Sequence, residues 1–328
     1  MSRDGRPELV RRLATIVACF LIVLAAPLAA QTPVERHGQL RVEGNRIVGE
    51  HGRQAVLRGM SLFWSQWMGR FYNERVVRWL AEDWRIGVIR VAVAVEPGGY
   101  LEHPEREWRK AERVIDAAIA AGIYVVVDWH AHRPHPEAAG AFFERVARRY
   151  RDHPNVIYET WNEPLPEHGW ADVVKPYHEA VIARIRRHDP DNLVVAGTPS
   201  WTQDVDVAAA DPLAFANVAY ALHFYAGSHG QALRDKAQAA LDAGAALFVT
   251  EWGTTEATGD GPIDEAETRR WWAFFEANAL SDLAWSIADK DETSAALRRG
   301  VSRHGGWPEA DLTSSGRLLR SRLRERSQ

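Results

Sequence analysis

The sequence predicts an α/β protein folded as a single-domain (β/α)₈ TIM barrel. Eight short, mostly apolar runs recur along the 328 residues, and six stretches with the apolar spacing of amphipathic helices lie between them. Runs that are apolar on both faces are typical of parallel strands buried between an interior and a helix layer. Alternation over eight strands favours a closed barrel, for which about 250 residues is a typical length. A doubly wound open sheet is the alternative.

The expected elements follow the chain in order. We expect strands at residues 56–60, 88–95, 123–128, 156–160, 193–196, 218–222, 246–250 and 283–287. We expect helices at residues 73–85, 108–121, 138–151, 171–188, 230–243 and 265–278. Residues 39–60 read as a short hairpin region with its turn at Gly44-Asn45.

The first 30 residues resemble a secretory signal peptide. Four arginines precede an apolar run at residues 13–30, which ends in small residues. A retained membrane anchor is the alternative, but Pro27 and the polar segment after the run favour cleavage. We therefore expect a secreted or periplasmic protein without stable membrane association. Cys19 is the only cysteine, so cleavage leaves a chain without disulfides.

Composition restricts the function classes. A formal net charge of −4 gives no indication of nucleic acid or of an anionic membrane surface as a partner. Residues 31–328 contain no low-complexity block or Ser/Thr/Pro-rich linker, which predicts one domain, and we expect a monomer. Tryptophan is unusually frequent, at 14 residues. Part of these will lie in the core, but tryptophan faces also stack on sugar rings.

Polar and aromatic residues follow the predicted strands. In a TIM barrel the carboxyl-terminal strand ends carry the chemistry. Here those ends carry Asp128-Trp129-His130, Trp161-Asn162-Glu163-Pro164, Thr198-Pro199-Ser200-Trp201, His223-Phe224-Tyr225, Glu251-Trp252-Gly253 and Trp285-Ser286. Core packing alone does not explain such residue types at so many strand ends.

Glu163 and Glu251 are the central candidates. Each follows an apolar strand, where a half-desolvated glutamate is costly without a role or a partner. Glycoside hydrolysis needs two carboxylates that flank the scissile bond, one to protonate the leaving oxygen and one to attack or to activate water. A salt-bridged structural pair at the barrel rim is the alternative interpretation.

These motifs together resemble the glycoside hydrolase family 5 cellulases of the clan A barrels. The resemblance rests on these motifs: Leu57-Arg58-Gly59-Met60-Ser61, Asp128-Trp129-His130, Trp161-Asn162-Glu163-Pro164, His223-Phe224-Tyr225, Thr250-Glu251-Trp252-Gly253, and Trp285-Ser286 through Lys290-Asp291-Glu292. It extends from residue 37 to residue 320. It implies a retaining endo-β-1,4-glucanase that needs no cofactor or metal and acts on a β-1,4-glucan.

The resemblance also implies roles for individual residues. Glu163 resembles the acid/base and Glu251 the nucleophile. Glu163 must start protonated, and a pKa raised by the second carboxylate would achieve this. Arg90 resembles the arginine that keeps the nucleophile charged, and an arginine inside an apolar strand needs a buried acid partner. Tyr225 resembles the tyrosine that orients the nucleophile.

Further positions resemble residues that hold the substrate. Asn162 resembles the asparagine that binds the sugar 2-hydroxyl. His130 and His223 resemble histidines on either side of the scissile bond, and Trp285 resembles the floor of the sugar site.

A second group resembles the part of the cleft that binds sugars further from the cut. Trp67 resembles a stacking tryptophan. Lys290 and Glu292 resemble a polar pair that binds a glucose on the non-reducing side.

Departures from the family pattern lie on the same side of the cleft. Ala284 stands where related cellulases often carry asparagine, and Phe63-Trp64 replace more polar residues. These differences concern substrate preference and leave the reaction type unchanged.

Three alternatives remain at this point. A β-mannanase or another β-glucanase would keep the mechanism and change the sugar. A metal-dependent hydrolase is the second alternative, because His130, His132 and His135 have a spacing that can bind zinc. The third is a non-catalytic glycan-binding barrel, which would require a missing carboxylate.

Overall fold

The computed structural model describes residues 31–325 and contains a closed barrel of eight parallel strands. Around the ring the strands follow the order β10-β3-β4-β5-β6-β7-β8-β9. The strands are β1 (Arg41–Glu43), β2 (Arg46–Val48), β3 (Arg58–Leu62), β4 (Val88–Ala94), β5 (Tyr124–His130), β6 (Val156–Glu159), β7 (Val194–Ala196), β8 (Val218–Tyr225), β9 (Leu247–Gly253) and β10 (Ser281–Ile287). The predicted fold class and all eight predicted barrel strands are confirmed.

Helices surround the barrel. They are α1 (Pro33–His37), α2 (Ser65–Met68), α3 (Glu74–Trp79), α4 (Pro104–Ala120), α5 (Pro136–Tyr150), α6 (Lys175–Arg186), α7 (Pro199–Thr202), α8 (Val205–Ala210), α9 (Gln231–Asp242), α10 (Glu265–Asn278) and α11 (Ser314–Glu325). Single π-helical turns at Leu80–Trp84 and Trp170–Val174 adjoin α3 and α6, and 3₁₀ turns occupy Gly69–Phe71 and Glu309–Asp311. The six predicted helices are confirmed, whereas the short elements α1, α2 and α7 and the helices α8 and α11 were not predicted.

Helix α4 illustrates how the outer layer forms. Pro104 occupies its first turn, where a missing backbone N–H is tolerated. Trp108, Ala111, Ile115 and Ala118 are buried at spacings of three and four residues, so they share the face that packs on the barrel.

The barrel interior has two layers supplied by the same strands. Side chains two residues apart in a strand point to the same face. The apolar layer comprises Val88, Val126, Ile157, Ala221 and Phe248. Two residues further along those strands lies the polar layer, which comprises Arg90, Asp128, Glu159, His223 and Thr250. The polar layer therefore lies nearer the carboxyl-terminal mouth.

The predicted hairpin forms and closes the other end of the barrel. Strands β1 and β2 pair antiparallel around the turn at Gly44-Asn45. Leu40, Ile47 and Leu57 pack in the same cluster as the apolar layer. The amino-terminal end is therefore sealed by apolar side chains, and chemistry is confined to the opposite mouth.

The predicted signal peptide at residues 1–30 lies outside the described residues. Among residues 31–325, no helix combines the length and the apolar character needed to span a bilayer.

Candidate active site

The predicted strand-end residues lie together at the carboxyl-terminal mouth, around a cleft of about 550 Å³. One end of the cleft lies over β3 and β10, and the other lies over β7 and β8, across the ring. Its lining comprises Phe63, Trp64, Trp67, His130, His132, Glu163, Trp201, Gln203, His223, Phe224, Tyr225, His229, Glu251, Ala257, Thr258, Gly259, Trp285, Lys290 and Glu292.

Two carboxylates face each other in this cleft. Glu163 follows β6 and Glu251 lies in β9. An oxygen of Glu163 and an oxygen of Glu251 lie within 4.8 Å of each other. Retaining glycosidases place their carboxyl groups about 5–5.5 Å apart, whereas inverting enzymes need about 6.5–9.5 Å to admit a water. The observed separation fits the retaining class.

Arg90 is the centre of the buried charge network. Its fully buried guanidinium donates from Nη1 to Glu251 Oε2 at 2.8 Å and from Nε to Glu159 Oε2 at 2.6 Å. Its Nη2 donates to Asn162 Oδ1 at 2.6 Å and lies 3.0 Å from Asp128 Oδ2. The prediction that Arg90 has a buried acid partner is met by three acids, Asp128, Glu159 and Glu251. The planar guanidinium holds these partners at fixed angles.

Glu251 is oriented through both of its oxygens. Tyr225 donates its hydroxyl to Oε1 at 2.8 Å, while Arg90 holds Oε2. Burial and the neighbouring Glu163 carboxyl raise the pKa of Glu251 above its ordinary value, and Arg90 opposes that shift. Two donors on separate oxygens favour the ionised carboxylate that a nucleophile requires.

Glu163 contacts one histidine at each oxygen. His223 Nδ1 lies 3.0 Å from Oε1, and His132 Nε2 lies 3.3 Å from Oε2. Burial raises the pKa of Glu163, but the hydrogen bonds of His132 and His223 outweigh it and lower the pKa to about 2. The expectation of a raised pKa is therefore wrong for the free cleft, because two imidazoles, rather than the second carboxylate, are the nearest partners.

The Nε2 side of the His223 ring, which faces away from Glu163, contacts residues of the polar layer. Its Nε2 lies 2.9 Å from Thr250 Oγ1, and Thr250 donates its hydroxyl to Glu159 Oε1 at 2.6 Å. Burial lowers the pKa of His223, but hydrogen bonding to Glu159 and Glu163 outweighs it and raises the pKa to about 9. The proton nearest the acid/base candidate therefore rests on His223 in the free cleft.

His130 packs among aromatic rings on the other flank. Its ring stacks on Trp285 at 5.5 Å between centroids, with an interplanar angle of 6°, and meets the edge of Trp64 at 4.1 Å. Its Nδ1 lies 2.6 Å from Asp128 Oδ2. Burial and the nearby Arg90 charge hold the pKa of His130 well below its ordinary value. A neutral His130 that donates its Nδ1–H to Asp128 keeps Nε2 as a hydrogen-bond acceptor, and Asp128 thereby fixes the orientation of the ring.

The β3 and β10 end of the cleft is rich in aromatic surface. Trp67 is 60% exposed and lies 6.2 Å from the ring of Phe63. Lys290 forms an ion pair with Glu292, and its Nζ lies 5.2 Å from the Phe63 ring centroid. All three predicted residues of this region, Trp67, Lys290 and Glu292, line the same cleft as the carboxylates.

The short element α7 after β7, which is a left-handed turn and not a regular α-helix, forms the opposite end. Ser200, Trp201 and Thr202 have φ of 58°, 55° and 62°, a left-handed conformation that is uncommon outside glycine. Thr202 Oγ1 donates to the Asn162 carbonyl at 2.7 Å, and Trp201 N donates to the Pro164 carbonyl at 2.9 Å. This strained turn braces the segment that carries Glu163 and presents Trp201 to the cleft.

Sequence reasoning missed several residues of the site. Glu159 and Asp128 were included in predicted strands without a role, although a charge inside an apolar strand was the signal that identified Arg90. Thr250 stood in the motif that carries Glu251 but was given no role, because a threonine is ordinary in a strand. Trp201 stood in a quoted strand-end motif but was given no role.

The histidine cluster on which the metal-dependent alternative rests does not assemble into a metal site within the described residues. His130 is held by Asp128, whereas His132 and His135 lie 3.9 Å and 3.5 Å from oxygens of Glu96. Within residues 31–325, the side chains close enough to share an ion are Glu163, His223 and Glu251. Arg90 already neutralises Glu251 at 2.8 Å, so these residues are a poor fit for a divalent cation.

Comparison with known proteins places the fold and the site in a family. Residues 48–291 match the family described as Cellulase (glycosyl hydrolase family 5). The chain is 41% identical to endoglucanase N of Pectobacterium atrosepticum over 326 residues, which covers 97% of this chain and 73% of that protein. It is 46% identical to endoglucanase Z of Dickeya dadantii over 290 residues, which covers 86% of this chain and 65% of that protein.

A solved structure extends the likeness to three dimensions. The catalytic domain of Thermobifida fusca endoglucanase Cel5A (E5), as a variant in complex with cellotetraose, aligns with a TM-score of 0.85 and 33% identity. The alignment covers 90% of this chain and 100% of that one. With a family match over most of its length, the chain belongs to glycosyl hydrolase family 5, the cellulase family.

Proposed function

We propose that the protein is a retaining endo-β-1,4-glucanase that hydrolyses internal bonds of cellulose-type glucans. The observation that carries the proposal is the pair Glu163 and Glu251, whose oxygens lie within 4.8 Å in a cleft with sugar-stacking aromatics at both ends. The related endoglucanases, and the cellotetraose bound by the T. fusca enzyme, support a β-1,4-glucan as substrate.

In the first step a Glu251 oxygen attacks the anomeric carbon while the glycosidic bond to the leaving oxygen breaks. That oxygen receives a proton from Glu163, which draws on the hydrogen shared with His223. Arg90 and Tyr225 keep Glu251 ionised and aimed. Asn162 accepts from Arg90 through Oδ1, which leaves its amide N–H groups to donate to the sugar 2-hydroxyl.

In the second step Glu163 acts as base. A water gives a proton to Glu163, its oxygen attacks the anomeric carbon, and the ester bond to Glu251 breaks. Two inversions give net retention and return both carboxyl groups to their starting states.

The proposed reaction is tested by reducing-sugar release from carboxymethyl-cellulose, with galactomannan alongside and Glu251→Gln as the matched variant. We expect the wild type to release sugar from the glucan. In the variant the rate should fall by about 10⁴-fold or more, because removing the nucleophile of the catalytic triad in a serine protease lowers kcat by at least that much. Release from mannan alone would keep the mechanism and change the substrate. Release from neither polysaccharide would favour the alternative of a non-catalytic glycan-binding barrel.

We infer that Trp67, Lys290 and Glu292 bind sugars on the non-reducing side of the cut. Trp67→Ala should raise KM about 2- to 10-fold with kcat unchanged, since aromatic stacking contributes roughly 0.5–1.5 kcal/mol and is equal in the ground and transition states. A fall in kcat with constant KM would contradict this role. Steady-state kinetics on cellopentaose gives the measurement.

We also infer that residues 1–30 are a cleaved signal peptide, that residues 31–328 form one catalytic domain, and that the protein is a secreted or periplasmic monomer. Amino-terminal sequencing of the exported protein should begin at Gln31. Sedimentation of that species should give the mass of one chain.

A further inference from the structure

A chain of hydrogen bonds runs behind the cleft from Arg90 to Glu163. Arg90 holds Glu159 through Nε at 2.6 Å, and Glu159 Oε1 accepts from Thr250 at 2.6 Å. Thr250 Oγ1 lies 2.9 Å from His223 Nε2, and His223 Nδ1 lies 3.0 Å from Glu163 Oε1. Glu159, Thr250 and His223 are buried, so water does not interrupt the chain.

The chemistry of these groups fixes where each hydrogen lies. Glu159 is ionised beside Arg90 and can only accept. A threonine hydroxyl has one hydrogen, and Thr250 directs it to Glu159. Thr250 therefore offers a lone pair to His223, so Nε2 of His223 must carry a hydrogen. The only other acceptor near Nε2 is Glu159 Oε1 at 3.4 Å, which leads to the same assignment among the described residues.

We propose that Glu159 and Thr250 are positioning residues that hold the hydrogen of His223 on Nε2, so that one hydrogen remains between His223 Nδ1 and Glu163 Oε1. That shared hydrogen is the proton that the leaving group receives. The proposal deepens the proposed function and rests on it, since it assigns how the acid/base is loaded.

The proton balance follows directly. Before cleavage, the His223 and Glu163 pair holds one hydrogen at their contact, which rests on His223 in the free cleft. After the leaving oxygen takes it, His223 is neutral with Nε2–H, and Glu163 is a carboxylate ready to act as base. Water returns the hydrogen in the second step.

The charges around His223 support a loaded pair. Glu159 on β6, Glu163 after β6 and Glu251 on β9 are negative neighbours, whereas His130 on β5 is held neutral. Together the acids raise the pKa of His223 to about 9, well above that of a free imidazole. The pair thus retains its hydrogen near neutral pH although Glu163 itself has a low pKa.

The test compares Thr250→Val with wild type on two substrates. Cellotetraose needs a protonated leaving group, whereas 2,4-dinitrophenyl β-cellobioside carries a leaving group that departs without protonation. Thr250→Ser keeps the hydroxyl and serves as the rescue variant. Thr268→Val is the matched control, because Thr268 is a buried threonine whose hydroxyl has no hydrogen-bond partner within the described residues.

We expect Thr250→Val to lower kcat on cellotetraose about ten-fold, a part of the roughly 10²–10⁴ that general acid catalysis contributes. Formation of the glycosyl-enzyme from the dinitrophenyl substrate should be unchanged. The basic limb of the pH profile should move to lower pH, because His223 loses a partner that favours its charged form. Thr250→Ser should restore both quantities.

An equal loss on the two substrates would mean a structural role and overturn the proposal, as would no loss on either. Wild-type protein that cleaves neither substrate would instead contradict the proposed function. ¹⁵N-histidine NMR of the wild-type protein gives a test that does not depend on variant folding. A His223 ring without hydrogen on Nε2 would also overturn the proposal.

Discussion

The two layers of the barrel interior come from the same strands and differ in what they demand of the sequence. The apolar layer stabilises the fold by burying nonpolar surface, at about 25 cal/mol per Å². Each of its side chains therefore contributes to stability nearly independently of the others. The polar layer is buried to the same degree, yet its charges are stable only as a set, because each one would be costly without its partners. Catalytic groups therefore lie where the fold is least tolerant of change.

The largest effect should come from breaking the polar layer at its centre. Arg90→Met leaves Asp128, Glu159 and Glu251 without their shared cation, and the free energy of unfolding should fall by about 3–5 kcal/mol. Urea denaturation measures the change. Arg78→Met is the matched control, because Arg78 is half exposed in a surface pair with Glu74 and such pairs contribute about 0–1 kcal/mol. Equal stability of the two variants would contradict the comparison.

A pH-dependent effect of intermediate size should come from His223. Its pKa is raised from 6.5 to about 9, so its contribution to stability is fully present below pH 6.5 and is lost as the pH rises through about 9. The pKa of Glu163 is lowered from 4.5 to about 2, so its contribution is present above pH 4.5 and is lost as the pH falls through about 2. The ion pair should therefore stabilise the fold most between pH 4.5 and 6.5.

Chemical denaturation of wild type and His223→Asn between pH 6.5 and 9 measures this contribution. The difference in stability should narrow as the pH rises. His178→Asn is the matched control, because burial lowers the pKa of His178 to about 4 and its ring stays neutral across that range. A difference that stays constant for His223→Asn would show that His223 is uncharged in the free protein.

The smallest effect should come from the apolar layer. Ile157 lies two residues before Glu159 on the same face of β6. Ile157→Val should lower the free energy of unfolding by about 0.5–1.5 kcal/mol, the usual range for losing one buried methylene. Activity should be unchanged, since the polar layer lies between this layer and the mouth that holds the cleft. If Ile157→Val lowers kcat by more than the loss of folded protein explains, the apolar layer contributes to catalysis, and the proposed difference between the two layers is wrong.

Sequence patterns were sufficient for the barrel because long apolar runs and helical spacing are strong, local signals. Helix α8 was missed because six residues are too short for a clear period, and α11 because its arginines obscure three spaced leucines. Both fill the helix positions that the barrel leaves open after β7 and β10.

The site was predicted as a set of strand-end motifs, and the structure brings Glu163, His223 and Glu251 of those motifs into one cleft. Their neighbours Trp129, Trp161 and Trp252 pack in the core instead. The prediction of a raised pKa for Glu163 was wrong, because the direction of the pKa shift depends on which charged groups lie nearest to the carboxyl. His132 follows β5 and His223 lies near the carboxyl end of β8, and only the closed ring brings both to Glu163. The role of Thr250 depends on a hydrogen-bond direction, which no sequence pattern contains.

The most direct test of the central claim is the stereochemistry of the first product. ¹H NMR during hydrolysis of cellotetraose distinguishes the α and β anomers before mutarotation mixes them. With Glu163 and Glu251 acting by double displacement, we expect the β anomer to appear first and the α anomer only later. An α anomer formed first would mean inversion and would contradict the assignment of Glu251 as nucleophile.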